Sequence, residues 1–233
     1  DRQKLKNTLK YGVITGVILF IASTLQQIGI NVNTQASKAG FITGIYTVLV
    51  PIFGVFMNKK AHINTWIGAV LAVAGLYLIS VVGTPVVEFG ELLLLIGAFF
   101  WAFHILAIDS FIDKVSPIKY SSIQFATCSL LNIILLPFFD YATFSLQNIL
   151  SATGPILFAG IMSSGIAYTL QIIGQKYVEP TPASLIMSLE SVFAVLCGWL
   201  LLNERMTRYE IYGCILVFAA VILSQLPDRS AIA

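Results

Sequence analysis

Eight stretches of about 20 residues, each nearly free of charge, divide this chain: Tyr11–Asn31, Ala39–Met57, Ile63–Val82, Gly90–Ile108, Pro117–Phe139, Gly154–Gln175, Pro182–Leu202 and Tyr209–Leu226. In hydrocarbon a backbone satisfies its own hydrogen bonds only as a helix or a closed barrel, and runs of this length suit helices. Hydrophobic residues make up 58% of the chain and charged residues 10%, against roughly 45–50% and 25% in soluble domains. A soluble bundle this apolar could not cover its own surface. The expectation is an all-α membrane protein with eight transmembrane helices whose first partner is the lipid bilayer. Cys128, Cys197 and Cys214 lie inside apolar runs and read as small buried residues, not a disulfide framework. A net charge of +2 gives no indication of a nucleic-acid partner.

The second constraint is a repeat. TLQQIG at Thr24–Gly29 and TLQIIG at Thr169–Gly174 share five of six residues, 145 residues apart. Each is followed by a polar loop, a small-residue start and another apolar run, with Gly54 against Gly198. Spans six, seven and eight then pair with spans one, two and three, while spans four and five have no upstream mates. The spacing implies that roughly 55 residues, two further spans, precede Asp1. The domains expected are an incomplete first repeat over 1–84 and a second over 90–227. Five spans per repeat is an odd number, so the second copy is inverted relative to the first, a plan secondary transporters use with the solute site at the repeat interface.

Positive charge sets the orientation. Ten basic residues fall on the side of the N-terminus (Arg2, Lys4, Lys6, Lys10, Lys59, Lys60, Lys114, Lys119, Lys176, Arg229) and three on the other (Lys38, Arg205, Arg208). Both termini are expected in the cytoplasm, with the protein in the cytoplasmic (inner) membrane.

Polar groups inside spans are costly unless they face protein or water. Ser164, Tyr168, Gln171 and Gln175 recur at steps of four, three and four, one face of an α-helix. Gln26 stands in the matching upstream span beside Ser23 and Gln27. Gln124, Cys128 and Asn132 share a face in the fifth span, Thr43, Tyr46 and Thr47 in the second, and Trp101 and His104 lie one turn apart in the fourth. For a single hydroxyl or thiol, interhelical hydrogen bonding at about 0.6 kcal/mol is the simpler reading. The four-residue stripe points to a polar cavity. The candidate solute-binding set is therefore Gln26, Tyr46, Trp101, His104, Gln124, Ser164, Tyr168 and Gln171. Glu190 sits a third to a half of the way into its span, where inserting a carboxylate costs at least about 2.5 kcal/mol. It is the candidate proton- or cation-coupling group, with a structural carboxylate as the alternative. Its mate in the repeat is Tyr46. Gly40 and Gly44, and Gly68, Ala72 and Gly75, form small-residue stripes expected to pack helices closely, and Pro51 is expected to weaken or kink its helix.

These residues resemble a known family. ASKAGFITGIYTVLVPIFG at Ala36–Gly54, followed by a basic loop and Trp66-Ile67-Gly68, resembles the first repeat of the EamA-type drug/metabolite transporters. GAFFWAFHIL at Gly97–Leu106 and SLESVFAVLCGWLLLNER at Ser188–Arg205 resemble the second. The resemblance spans Leu9 to Pro227 and implies a secondary transporter of a small organic metabolite or drug-like solute, without naming the solute. Where the family has Pro after the Glu of its second signature this chain has Ser191, which predicts a straighter helix. Where the family has Gly before the loop Glu-Arg pair it has Asn203.

An enzyme is not expected. Met162 stands where a nucleophile elbow around Ser164 would need Gly, and neither a His-Glu-x-x-His motif nor paired intramembrane aspartates occur. No cofactor and no metal are implied, and oligomeric state is left open. A channel or a structural membrane subunit is the alternative class.

Overall fold

The computed structural model describes residues 2–32, 36–59, 62–80, 89–139, 145–202 and 205–226. Lys60, Asn203, Arg229 and residues 140–144 of the linker after the fifth span lie outside them. The described chain is helical: α1 (Arg2–Asn31), α2 (Ala36–Gly44), α3 (Tyr46–Phe56), α4 (Ile63–Ser80), α5 (Phe89–Phe111), α6 (Pro117–Phe139), α7 (Leu146–Ser151), α8 (Thr153–Leu157), a π-helix over Phe158–Ala167, α9 (Tyr168–Gly174), α10 (Pro180–Met187), α11 (Leu189–Leu202) and α12 (Arg208–Ser224). Among the described residues six segments are long and apolar enough to cross a membrane: Arg2–Asn31, Ala39–Phe56, Phe89–Lys114, Pro117–Phe138, Thr153–Gly174 and Pro180–Leu200. The expected third and eighth spans appear as the shorter helices α4 and α12, of 18 and 17 residues.

Local chemistry sets the helix ends. α12 begins in a capping box, in which the Thr207 hydroxyl accepts from the Glu210 amide at 3.2 Å and the Glu210 carboxylate accepts from the Thr207 amide at 2.6 Å. α3 ends where Asn58 turns left-handed (φ 57°) and the Lys59 amide reaches back to the Gly54 carbonyl at 2.8 Å. Asn tolerates that conformation better than most residues. Pro180 opens α10 at its first turn, where a missing N–H costs nothing.

The chain divides into two compact units. One comprises Asp1–Phe20 and Ala107–Tyr177, the other Ile21–Leu106 and Val178–Ala233. In the first, Ile108, Ile112, Val115, Tyr120 and Ile172 form a buried core with Tyr11 against it. Tyr11 stacks on Phe111 at 4.1 Å, and the Ser116 amide donates to the Thr8 hydroxyl at 3.2 Å. The residues from α8 through the π-helix lie mostly on the surface, with Leu157, Phe158, Ile161, Met162 and Ile166 exposed as a lipid-facing helix would leave them.

The second unit is built on a seam between α4 and α12. Leu76, Val192, Cys214 and Val217 form one buried cluster there, and Ala69, Ala72, Leu185 and Ala220 another. A Cβ at Gly75 would lie 2.7 Å from the Gly213 carbonyl oxygen, and one at Gly213 would lie 2.5 Å from that of Gly75. Only glycine allows two backbones this close, which is how helices gain packing contacts in lipid. Gly68 meets the Ala220 carbonyl in the same way and Gly44 meets Leu76, so these stripes do pack helices, while Gly40 touches nothing within 4 Å.

Candidate functional site

Two helix interruptions organise the candidate residues of the second unit. Each lies inside a membrane-spanning segment: one at Ile45, between α2 and α3, the other at Ser188, between α10 and α11. They are 143 residues apart, close to the spacing of the sequence repeat. Pro51 does not cause the first, because α3 runs through it and the interruption falls six residues earlier. The straighter second helix expected from Ser191 is corrected here, since that segment is interrupted at Ser188 with no proline at the break. Hydroxyls serve instead. Thr47 Oγ1 donates to the Gly44 carbonyl at 2.9 Å, and Ser188 Oγ donates to the Leu185 carbonyl at 2.7 Å. Such back-bonding bends helices.

The residues just past the two breaks meet opposite surroundings. Tyr46, the first residue of α3, is buried with Val50, Ala102, Ile105 and Leu106, and Trp101 and Met187 pack against that cluster. The same face of α3 continues to Phe53, which stacks on Phe103 of α5 at 4.8 Å. Glu190, the second residue of α11, is exposed on a stripe with Ile186, Phe193, Cys197 and Leu200, otherwise apolar. Among the described residues no hydrogen bond or ion pair reaches its carboxylate.

Trp101 is held in place. Its indole N–H donates to Gln26 Oε1 at 3.1 Å, and His104, fully buried one turn on, meets it edge-on at 6.0 Å and 89°. α1 approaches α5 closely enough for this because Gly97 faces the backbone at Ala22 and Gln26. Four sequence candidates, Gln26, Tyr46, Trp101 and His104, thus belong to connected packing in this unit. Gln26 acts there on the indole, a hydrogen bond spanning 75 residues that no local pattern announces.

The remaining candidates fall in the first unit. Gln124 is fully buried, and Tyr168 sits edge-on to Phe125 at 5.6 Å. Gln171 Nε2 donates to Gln175 Oε1 at 3.4 Å, and Gln175 is buried. Gln124, Cys128 and Asn132 do share a face of α6, which runs from buried Gln124 to exposed Asn132, where the side-chain amide donates to the Cys128 carbonyl at 2.9 Å. The four-residue stripe is modified. Ser164 lies within the π-helix, where the Tyr168 amide bonds the Ser163 carbonyl, so its angle to Tyr168 is set by i→i+5 rings. From Tyr168 to Gln175 the α-helical face holds. Residues the sequence reading missed are Ser184, Ser188 and Met187, while Thr47, placed on a polar face, turns out to act at the break. The signal of the two serines, a hydroxyl near a mid-span junction, is common in any helix, and Met187 gives none. Among the described residues no cluster of three His, Cys, Asp or Glu could hold a metal.

The helical architecture and intramembrane polar residues meet a match to known proteins. The EamA-like transporter family model matches residues 1–81 and 88–226. The chain belongs to that family. A relative from Archaeoglobus fulgidus, named "Uncharacterized transporter", is 29% identical over 218 residues, covering 93% of this chain and 69% of its own. A second protein of that name and organism is 24% identical over 197 residues, covering 82% and 68%. A crystal structure with 16% identity superposes with a TM-score of 0.75 over 99% of this chain and 90% of its own, a likeness of fold. As a member of this transporter family, the protein is a multi-pass membrane protein with a transport role.

Proposed function

We propose that the protein is a secondary transporter that moves a small organic metabolite or drug-like solute across the cytoplasmic membrane by alternating access. The observation that carries this is the pair of mid-span interruptions at Ile45 and Ser188. Broken helices at matching places in two halves are how inverted-repeat transporters place polar groups at mid-membrane. The two blocks of the family match support reading 1–84 and 90–227 as two repeats. The eight-span count takes α4 and α12 as short spans.

Tyr46, Trp101 and His104 are read as solute-facing with Gln26 orienting the indole, and Gln124, Ser164, Tyr168 and Gln171 as solute-facing in their own unit. Glu190 is read as the proton- or cation-coupling carboxylate. The ten-to-three distribution of basic residues supports cytoplasmic termini.

The test is counterflow in proteoliposomes. A labelled solute should enter faster when the lumen is preloaded with unlabelled solute, and flux should saturate. Saturable flux without trans-stimulation would favour the channel reading instead.

A further inference from the structure

We propose that the Ser188 hydroxyl is the device that keeps α10 and α11 apart as two half-helices and thereby presents Glu190 on the exposed stripe. The proposal deepens the reading of Glu190 as a functional carboxylate by naming a residue that positions it.

The hydrogen bonds around Ser188 show how. In a continuous helix the Leu185 carbonyl would accept from the Leu189 amide. Here Ser188 gives Leu185 O its hydroxyl, at 2.7 Å, and shares its amide between Leu185 O and Ser184 O, each at 3.1 Å. Past Ser188 the next amide bond goes to the Ile186 carbonyl, and Ser191 reaches back to Ser188 O at 3.3 Å. The rungs of the ladder therefore shorten from four residues to three through the junction, just before Glu190. Ser188 is 2% exposed, so water cannot compete for the bond.

A hydroxyl alone does not break a helix, and the other bonds of this class show the distinction. In the uninterrupted runs of α1 and α6, Thr8, Ser122 and Thr127 each bond the carbonyl four residues back, and α-helix continues past them. At junctions and helix ends the shorter bond goes three residues back: Thr47 to Gly44, Ser151 to Asn148, Ser188 to Leu185, Ser224 to Val221, and Thr153 to Leu150 at 2.8 Å against 3.3 Å to Ile149. Thr15, within α1, instead favours Tyr11 at 2.9 Å over Gly12 at 3.3 Å. An i−3 bond tightens the turn and takes a carbonyl the helix needs for its next rung. Ser184, bonded to the Thr181 carbonyl at 2.8 Å, tightens the turn just before.

The experiment measures the reach of Glu190 to a reagent and does not depend on transport. The purified protein in lipid nanodiscs is treated with dicyclohexylcarbodiimide, a membrane-soluble reagent for carboxyls, and adduct at Glu190 is quantified by peptide mass spectrometry. Ser188→Ala should cut the labelling rate about fivefold, the population shift a single hydrogen bond can drive, without lowering the melting temperature. Ser188→Ala/Ser191→Pro should restore labelling, because Pro removes the 191 amide and re-breaks the helix at a position whose present bond is already long. If Ser188→Ala yields no folded protein, Ser188→Cys, of similar shape and a weak donor, replaces it with the same expectation. Parental labelling in the folded Ser188 variant overturns the proposal, and so does failure of the proline to restore it. If labelling follows the prediction but counterflow is absent, the positioning role stands and the transport reading falls.

Discussion

The face of α2–α3 through Tyr46 and the face of α10–α11 through Glu190 occupy the same place in two similar stretches, yet one is covered and the other bare. Ile42, Tyr46 and Phe53 lie under α5, whereas Ile186, Glu190, Phe193 and Leu200 are exposed. Each stretch is interrupted one or two residues before its distinctive side chain. A shared backbone device thus serves two ends. Beneath a neighbouring helix it seats an aromatic ring, where packing is what holds helices together in lipid. On a bare stripe it carries a carboxylate, which hydrocarbon alone would not tolerate.

The comparison can be broken or sharpened by substitution. Gly75→Leu should have the largest effect, because its side chain would strike the Gly213 backbone in the seam on which α3 and α10 both rest. We expect a loss of about 3 kcal/mol or more, read as lost monodisperse protein in detergent. Tyr46→Ala should cost about 3 kcal/mol by leaving a cavity under α5, while Glu190→Gln should change stability by less than about 0.5 kcal/mol. Thermal melts of the two variants in one detergent make the comparison, and equal losses would erase the distinction between covered and bare faces. The effect of Glu190→Gln should appear in transport, as uptake that no longer follows an imposed proton gradient. Trp101→Phe, which keeps the ring and loses the bond to Gln26, should cost about 1 kcal/mol and lower solute affinity. Thr47→Ala should be mildest, at about 0.5–1 kcal/mol, since Pro51 remains to weaken the same helix.

Apolar length alone located most helices: the expected Pro117–Phe139 is α6 to the residue, and Gly90–Ile108 lies within α5. That signal is strong because hydrocarbon leaves a span no alternative to helix. It is blind to the turn the helix adopts. Phe158–Ala167 reads the same as an α- or a π-helix, because its two polar side chains, Ser163 and Ser164, are adjacent and fix no period within the run. The breaks were half legible. Pro51 drew attention to the right helix, but the chain turns at Ile45, where a hydroxyl and not a ring intervenes. Of the candidate site, Trp101 and His104 were visible as neighbours because they sit one turn apart, whereas the partnership of Trp101 with Gln26 depends on how α1 meets α5.

The crossing of Gly75 and Gly213 has a consequence for how such a sequence can change. Each residue excludes a side chain at the other, so neither can acquire even a methyl group while its partner's backbone stays put. Lengthening one side chain cannot be offset by shortening the other, since glycine is already the smallest residue. Any route to a different residue at either position must first part the two backbones where they cross, making this point in the membrane one the protein cannot leave by single steps.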